Sequence, residues 1–446
     1  MQLRRTLALC TVAAAVAALA GAVSVAGAAG QSGAAGQSGA GNSASRERQQ
    51  AARSGPAGSG PARVGLDPRQ LRAAYDVGPL LRRGIDGAGQ TIVIVDSYGS
   101  PTIRRDLRHF DASFGLAGPP WLRVIQPAGQ VTAFRPTGTR LNWAQETTLD
   151  VEWAHVLAPA ARILLVETPT AENEGTSGFR QIVKAETYVI RHHLGGVISQ
   201  SLAATEQTFR SKAALLRLRG AYLLAARPSY DVTVLGATGD WGAAGLTYSQ
   251  RSYYLHRAVA WPASDPLVTA VGGTLLDLTA AGNRRMPDAA WSDGGGGRSV
   301  IFARPGYQNR VRGIVGRRRG LPDISMDAAC QSAVATYSSF NGEFWSAACG
   351  TSLATPLFAG IVALADQVAG HPLGLINRAL YRMAAARDKG IVDVVKGNNT
   401  FRFVLGGKLR TVVGFAARRG YDLSSGLGTV NAAYFVPELA RLAGGR

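Results

Sequence analysis

The chain has 446 residues, 46% of them hydrophobic and 17% charged, enough to bury one large core or two ordinary ones and too apolar for a wholly disordered chain. Its formal net charge is +19, carried mostly by arginine, with lysine only at Lys184, Lys212, Lys389, Lys396 and Lys408. The arginines are scattered, with short clusters only at Arg317 to Arg319 and at Arg418 and Arg419, so the charge is read as solvated surface. Weak adhesion to polyanions is expected, and a specific nucleic-acid partner is not.

Residues 1–28 combine a basic start at Arg4 and Arg5, an apolar run and a small-residue Ala26-Gly27-Ala28 site, the pattern of a cleaved secretory signal peptide. The mature chain is therefore expected to be secreted and extracellular, without a membrane anchor, because no later stretch reads as apolar for long enough to span a bilayer. Once the signal is cleaved, only Cys330 and Cys349 remain, and they are expected either as one disulfide or as two buried thiols. Residues 29–63 are low in complexity and nearly free of large apolar side chains, which predicts a flexible linker. One folded domain is expected over 64–446.

Beyond the linker, β-branched runs alternate with helical patterns. Thr91 to Ser97, Ala161 to Thr168, Gly195 to Leu202 and Asp231 to Asp240 read as buried strands, and helices are predicted around 102–114, 142–157, 178–193 and 205–226. Continuous apolar strands alternating with helices predict an α/β fold with a mostly parallel central sheet covered on both faces. Ligands of such sheets sit at the carboxyl ends of the strands, where Asp96 and Asp240 fall.

Near the C-terminal third, "CGTSLATPLFAG", Cys349 to Gly360, presents Ser352 on a small-residue turn ahead of an apolar helix. A neutral hydroxyl is a poor nucleophile and needs a base. The six histidines are His109, His155, His192, His193, His256 and His371, and none stands in a glycine-rich helix start that would aim it. The helix predicted from Leu141 toward Pro159 offers another base. Glu146 and Asp150 lie one turn apart on one face, with Trp143 and Trp153 beside them and His155 on the opposite side. Like charges at this spacing repel, so the pair does not support the helix. Its bland reading is a solvated acidic face, though such a face rarely carries two tryptophans. Its chemical reading is a carboxylate pair in which one pKa is raised, so that one group holds a proton while the other is ionised.

These residues together resemble the sedolisin family of serine-carboxyl peptidases, within the subtilisin-like superfamily. "GTSLATP" is similar to the nucleophile turn of the whole superfamily. The narrower resemblance rests on Glu146-x-x-x-Asp150-Val-Glu-Trp-Ala-His, "GATGDWG" (Gly236 to Gly242), "WPASDPLVTAVGGT" (Trp261 to Thr274), "WSDGGGG" (Trp291 to Gly297) and "LPDISMDA" (Leu321 to Ala328). It implies a subtilisin-like fold and an endopeptidase cutting protein or peptide substrates through an acyl-enzyme on Ser352. It further implies Glu146 as the base, Asp150 as the residue that orients and tunes it, and Asp240 as the oxyanion partner. A protonated carboxyl suits that last role, which favours acid; the bland reading of Asp240 is a turn aspartate capping a helix.

The resemblance also implies one structural Ca²⁺, held by the carboxylates of Asp393 and Asp422 and the carbonyls of Val394, Arg418 and Gly420, a hard-oxygen set. Three positions depart from the family pattern. Cys349 precedes the turn where a small residue is usual, Leu202 and Ala203 replace an aromatic residue and a glycine at a strand end, and Arg418 replaces a glycine. Two other readings follow from the same residues: a secreted relative that binds peptide or polyanion without cutting it, and a neutral enzyme using Asp96 and a histidine.

Overall fold

The computed structural model describes residues 64–342 and 345–444. The signal peptide and linker expected over 1–63 lie outside the described residues.

The main sheet is built from β1 (Thr91–Ser97), β2 (Leu122–Ile125), β3 (Arg162–Thr168), β4 (Val197–Gln200), β5 (Thr233–Ala237), β6 (Thr269–Leu275), β7 (Ala289–Ala290) and β8 (Ile324–Asp327), with the short strand Lys396–Gly397 added beside β7. The spatial order runs β6-β5-β4-β1-β3-β2, all parallel, with β8 parallel and β7 antiparallel on the far side of β6. The register sets Ile94 of β1 beside Leu165 of β3 and Ser199 of β4.

Strand alternation explains why the sequence is apolar without interruption: both faces are covered. Ile92 and Ile94 point into one core with Trp153, Leu357, Phe358 and Phe435, while Val93 and Val95 point into another with Phe179, Tyr222 and Trp261. The first face is roofed by α2 (Gly138–Leu157), with α1 (Ile103–Phe114) against it, and by three helices from later in the chain. The second carries α3 (Phe179–Arg191), α4 (Lys212–Leu216) and α5 (Gly220–Ala225).

The helix predicted over 205–226 is two short helices. Ser211 starts α4 by accepting from the Ala214 N–H, and the chain breaks before Gly220. Leu215, Ala221 and Tyr222 are all buried in the same core, so one apolar pattern runs through the break.

On the first face, α6 (Thr351–Ala369) crosses the core beside α2, with α7 (Asn377–Ala386) and α8 (Ala432–Gly444) following it. A Cβ at Gly360 would stand 2.9 Å from Leu157 Cβ, so the approach of α6 to α2 needs a glycine there. By length and composition α6 is apolar enough to cross a bilayer, which corrects the expectation that no stretch beyond the N-terminus qualifies. Its residues Thr351 to Asp366 are buried inside the protein, so its hydrophobicity is that of a core helix.

Candidate active site

The carboxyl ends of β1, β4 and β5 meet at the point where the strand order reverses, because the chain passes from β3 over β1 to β4. Asp96 ends β1, Ser201 follows β4 and Asp240 follows β5. The N-terminus of α6 brings Ser352 to the same place. An open cleft of about 620 Å³, its solvent mouth included, is lined by Glu146, Glu172, Glu174, Ser201, Ala203, Asp240, Trp241, Thr351 and Ser352. The structure thus gathers Ser352, Glu146 and Asp240 on one cleft wall, with Asp150 fully buried one turn behind Glu146.

Local geometry explains the serine turn. Gly350, before α6, has φ of 119°, a conformation that side-chain-bearing residues avoid, and its N–H donates to Ala328 O at 2.7 Å. Pro356 lacks the N–H that would close a helical bond to the Ser352 carbonyl. That carbonyl instead faces the Ser201 hydroxyl at 3.4 Å, and the same hydroxyl donates to Asp150 Oδ1 at 3.0 Å. Ser201 therefore bridges the buried carboxyl and the nucleophile helix.

Asp240 acts on the helix start as well. Its Oδ1 accepts from Thr351 N–H and from Thr351 Oγ1, each at 2.8 Å, while Gly239 N–H donates to Thr351 Oγ1 at 3.1 Å. Gly350 has no side chain to cap the helix, so a carboxylate from β5 takes the place of a local cap. The capping role expected as the bland alternative is thus present, but toward the nucleophile helix.

Burial pushes the Asp150 carboxyl well above the ordinary aspartate range. The charges of Asp96 and Glu146 push it further, while the Ser201 hydrogen bond pulls the other way. Asp96 was legible as a strand-end aspartate; that it faces Asp150 from behind was not.

No histidine lines the cleft among the described residues. His155 is buried with Nε2 at 2.9 Å from Ala117 O and 3.2 Å from Asp111, and His109 stacks on Tyr337. The two tryptophans separate: Trp143 joins one core, while Trp153 joins the other and donates from Nε1 to Ala335 O.

The cysteines form a disulfide, Cys330–Cys349, closing a loop of sequence separation 19 around the hairpin β9 (Val334–Tyr337) and β10 (Trp345–Ala348). It ties the residue before Gly350 to the segment after β8. Cys330→Ser/Cys349→Ser is expected to lose about 3 kcal/mol of unfolding free energy, read from urea titration at constant m-value.

The predicted cation ligands also converge. Asp393 Oδ2 accepts from Gly420 N–H at 2.8 Å and Asp422 Oδ2 from Arg418 N–H at 2.9 Å, so both carboxylates grip one turn. Neither has a cationic partner among the described residues. Arg418 is not among the positive-φ residues, so it costs nothing where a glycine was expected; Gly420 is, at φ 77°. No three His, Cys, Asp or Glu side chains converge as a metal cluster among the described residues. Asp422 Oδ1 also accepts from the N–H groups of Ser424 and Ser425, at 2.8 and 2.9 Å, and two carboxylates without a counter-charge are the hard-oxygen chemistry that a cation such as Ca²⁺ takes.

No family model matches the chain. Kumamolisin from Bacillus sp. (strain MN-32) is 30% identical over 358 residues, 78% of this chain and 59% of the relative. Sedolisin from Pseudomonas sp. (strain 101) is 30% identical over 272 residues, 58% and 43% of the two chains. Tripeptidyl-peptidase 1 from Homo sapiens is 31% identical over 215 residues, 45% and 36%. The chain thus spans between 36% and 59% of these relatives' lengths. Among solved structures, Pseudomonas sedolisin, a serine-carboxyl proteinase complexed with two molecules of pseudo-iodotyrostatin, superposes with a TM-score of 0.69 at 27% identity, covering 83% of this chain and 97% of that one. Similarity of this extent, in sequence and in fold alike, means that the chain belongs to the sedolisin family.

Proposed function

We propose that this protein is an exported serine-carboxyl endopeptidase that works in acid and cuts protein or peptide chains. One observation carries the reading: Ser352 opens a buried helix onto a cleft whose titratable lining is carboxylic and contains no histidine among the described residues. Ser352 Oγ attacks the peptide carbonyl while Glu146 takes its proton and then returns it to the leaving amine. Asp150 holds a proton behind Glu146, so that Glu146 is the member of the pair that ionises. Because Asp240 Oδ1 accepts two hydrogen bonds from Thr351, its proton in acid belongs on Oδ2, which then donates to the tetrahedral oxyanion. Export is supported by the disulfide and by the signal pattern of residues 1–28. The carboxylates of Asp393 and Asp422, with the carbonyls of Val394, Arg418 and Gly420, would hold a Ca²⁺ that braces the C-terminal turn.

Hydrolysis of denatured casein is the test. Its rate is expected to rise as pH falls from neutral, His155→Ala is expected to keep the wild-type profile, and products of mixed length are expected rather than tripeptides. A rate that climbs through pH 7 and disappears in a histidine variant would refute the carboxyl mechanism.

A further inference from the structure

Three of the four most exposed large apolar side chains among the described residues lie on or just past a two-stranded hairpin, β11 (Phe401–Leu405) and β12 (Lys408–Val412), turned at Gly406-Gly407. Its pairing sets Phe401 beside Val412, Arg402 beside Thr411 and Val404 beside Leu409. Strand alternation then divides the hairpin into two faces. Phe401, Phe403 and Val412 are buried against Trp241, Leu246 and Tyr253, and Tyr253 meets both phenylalanine rings edge-on at 4.9 Å.

The other face is bare. Val404 is 61% exposed, Leu409 67% and Val413, just past the end of β12, 63%. Arg402 shares this face; Lys408, beside Leu405, stands exposed at the tip, while Arg410, beside Phe403, alternates to the other side of the hairpin and is exposed there. No Asp or Glu occurs from Asn398 to Ala417. None of these three cations has an ion-pair partner among the described residues. At the base, Arg257 and Arg298 lie over the Phe415 ring, 4.4 and 5.7 Å from its centroid respectively.

A hairpin with open edges and bare apolar side chains invites aggregation unless it has a use. We propose that this face docks the protein on an anionic lipid surface, the apolar side chains entering the headgroup boundary while Arg402 on the face and Lys408 at the tip meet lipid phosphates. Charge complementarity selects this occupant: a cation on an apolar face and another at its tip match an anionic interface, whereas a soluble polyanion offers nothing for Val404, Leu409 and Val413. The buried face rests on Trp241, which also lines the cleft, and Ala243 N–H donates to Asn399 O at 2.8 Å. Docking would therefore hold the cleft beside the surface.

The experiment is co-sedimentation of the full chain with phosphatidylcholine vesicles, with or without phosphatidylglycerol. Wild type is expected to pellet only with the anionic vesicles. Val404→Ser/Leu409→Ser/Val413→Ser is expected to bind roughly tenfold more weakly or worse. Arg402→Gln/Lys408→Gln is expected to bind roughly thirtyfold more weakly. The substituted side chains are exposed, and an unchanged melting temperature with unchanged cleavage of a soluble peptide shows that each variant is folded. Failure of wild type to pellet, or equal pelleting with both kinds of vesicle, would overturn the proposal. So would undiminished binding by the serine variant, which would assign the adhesion to the scattered arginines as simple polyanion binding.

Discussion

Ser352→Ala is expected to abolish peptide hydrolysis, with kcat/KM falling by about 10⁵-fold or more, because the other hydroxyls lining the cleft, Ser201 and Thr351, are held by Asp150 and Asp240. Glu146→Gln lowers it by about 10³-fold, the usual worth of a positioned general base. Asp150→Asn also costs orders of magnitude, because the amide cannot exchange a proton with Glu146 and changes the partner offered to Ser201 Oγ. The informative variant is the double one. If Glu146 acts only by taking the Ser352 proton, Ser352→Ala/Glu146→Gln is no slower than Ser352→Ala alone, since residues that act as a unit do not add. Single-turnover kinetics on a chromogenic peptide, with circular dichroism to show that each variant is folded, give the measurement. Near-full activity in Glu146→Gln refutes the assignment, and additive losses in the double variant give Glu146 a role other than base.

The sheet was legible because β1 and β3 are buried on both faces, which writes them as unbroken β-branched runs; their observed bounds differ from the predicted ones by a residue at most. Helix α2 was legible near its C-terminus, where Ala158 and Pro159 stop it, and less so at its start, which lies at Gly138 instead of 142. Glu146 and Asp150 were readable because helical spacing is local. Ser201, Thr351 and Asp96 were not, since their contacts join segments far apart in the chain, and only the crossing of β3 over β1 to β4 brings them together. Ser201 sits 51 residues from Asp150 and 151 from Ser352. Nor could periodicity show that Trp143 and Trp153 serve different cores: they lie three turns apart along a helix that is buried on nearly every side, so sharing a helical face does not make them share an environment.

The fold should be more stable in acid than at neutral pH, and Glu174 shows why. Its carboxyl is buried in the cleft wall, and burial, reinforced by the charge of Glu172, pushes its pKa from 4.5 up to about 8, although hydrogen bonds from Thr205 and Thr208 pull it down. Thr205 N–H and Thr208 Oγ1 both donate to Oε2 at 2.8 Å, while Oε1 meets only the Thr205 hydroxyl, at 3.4 Å, so the proton belongs on Oε1. A folded pKa above the unfolded one means that folding takes up a proton between those two values. The associated stability is complete below about 4.5 and is lost as pH rises through about 8. The loss amounts to several kcal/mol at roughly 1.4 kcal/mol per pKa unit. Burial raises Asp150, Glu152, Glu186, Asp327 and Asp366 in the same direction, so their contributions carry the same sign. Glu174→Gln imitates the protonated form: its amide oxygen can replace Oε2 as acceptor and its NH₂ takes the position of the protonated Oε1. The variant is expected to match wild type in acid and to melt higher than wild type near pH 8, flattening the fall of melting temperature with pH. Calorimetry of both proteins across that range is decisive, because a wild-type melting temperature that rises with pH, or an equal slope in the variant, would mean that Glu174 is ionised in the folded state.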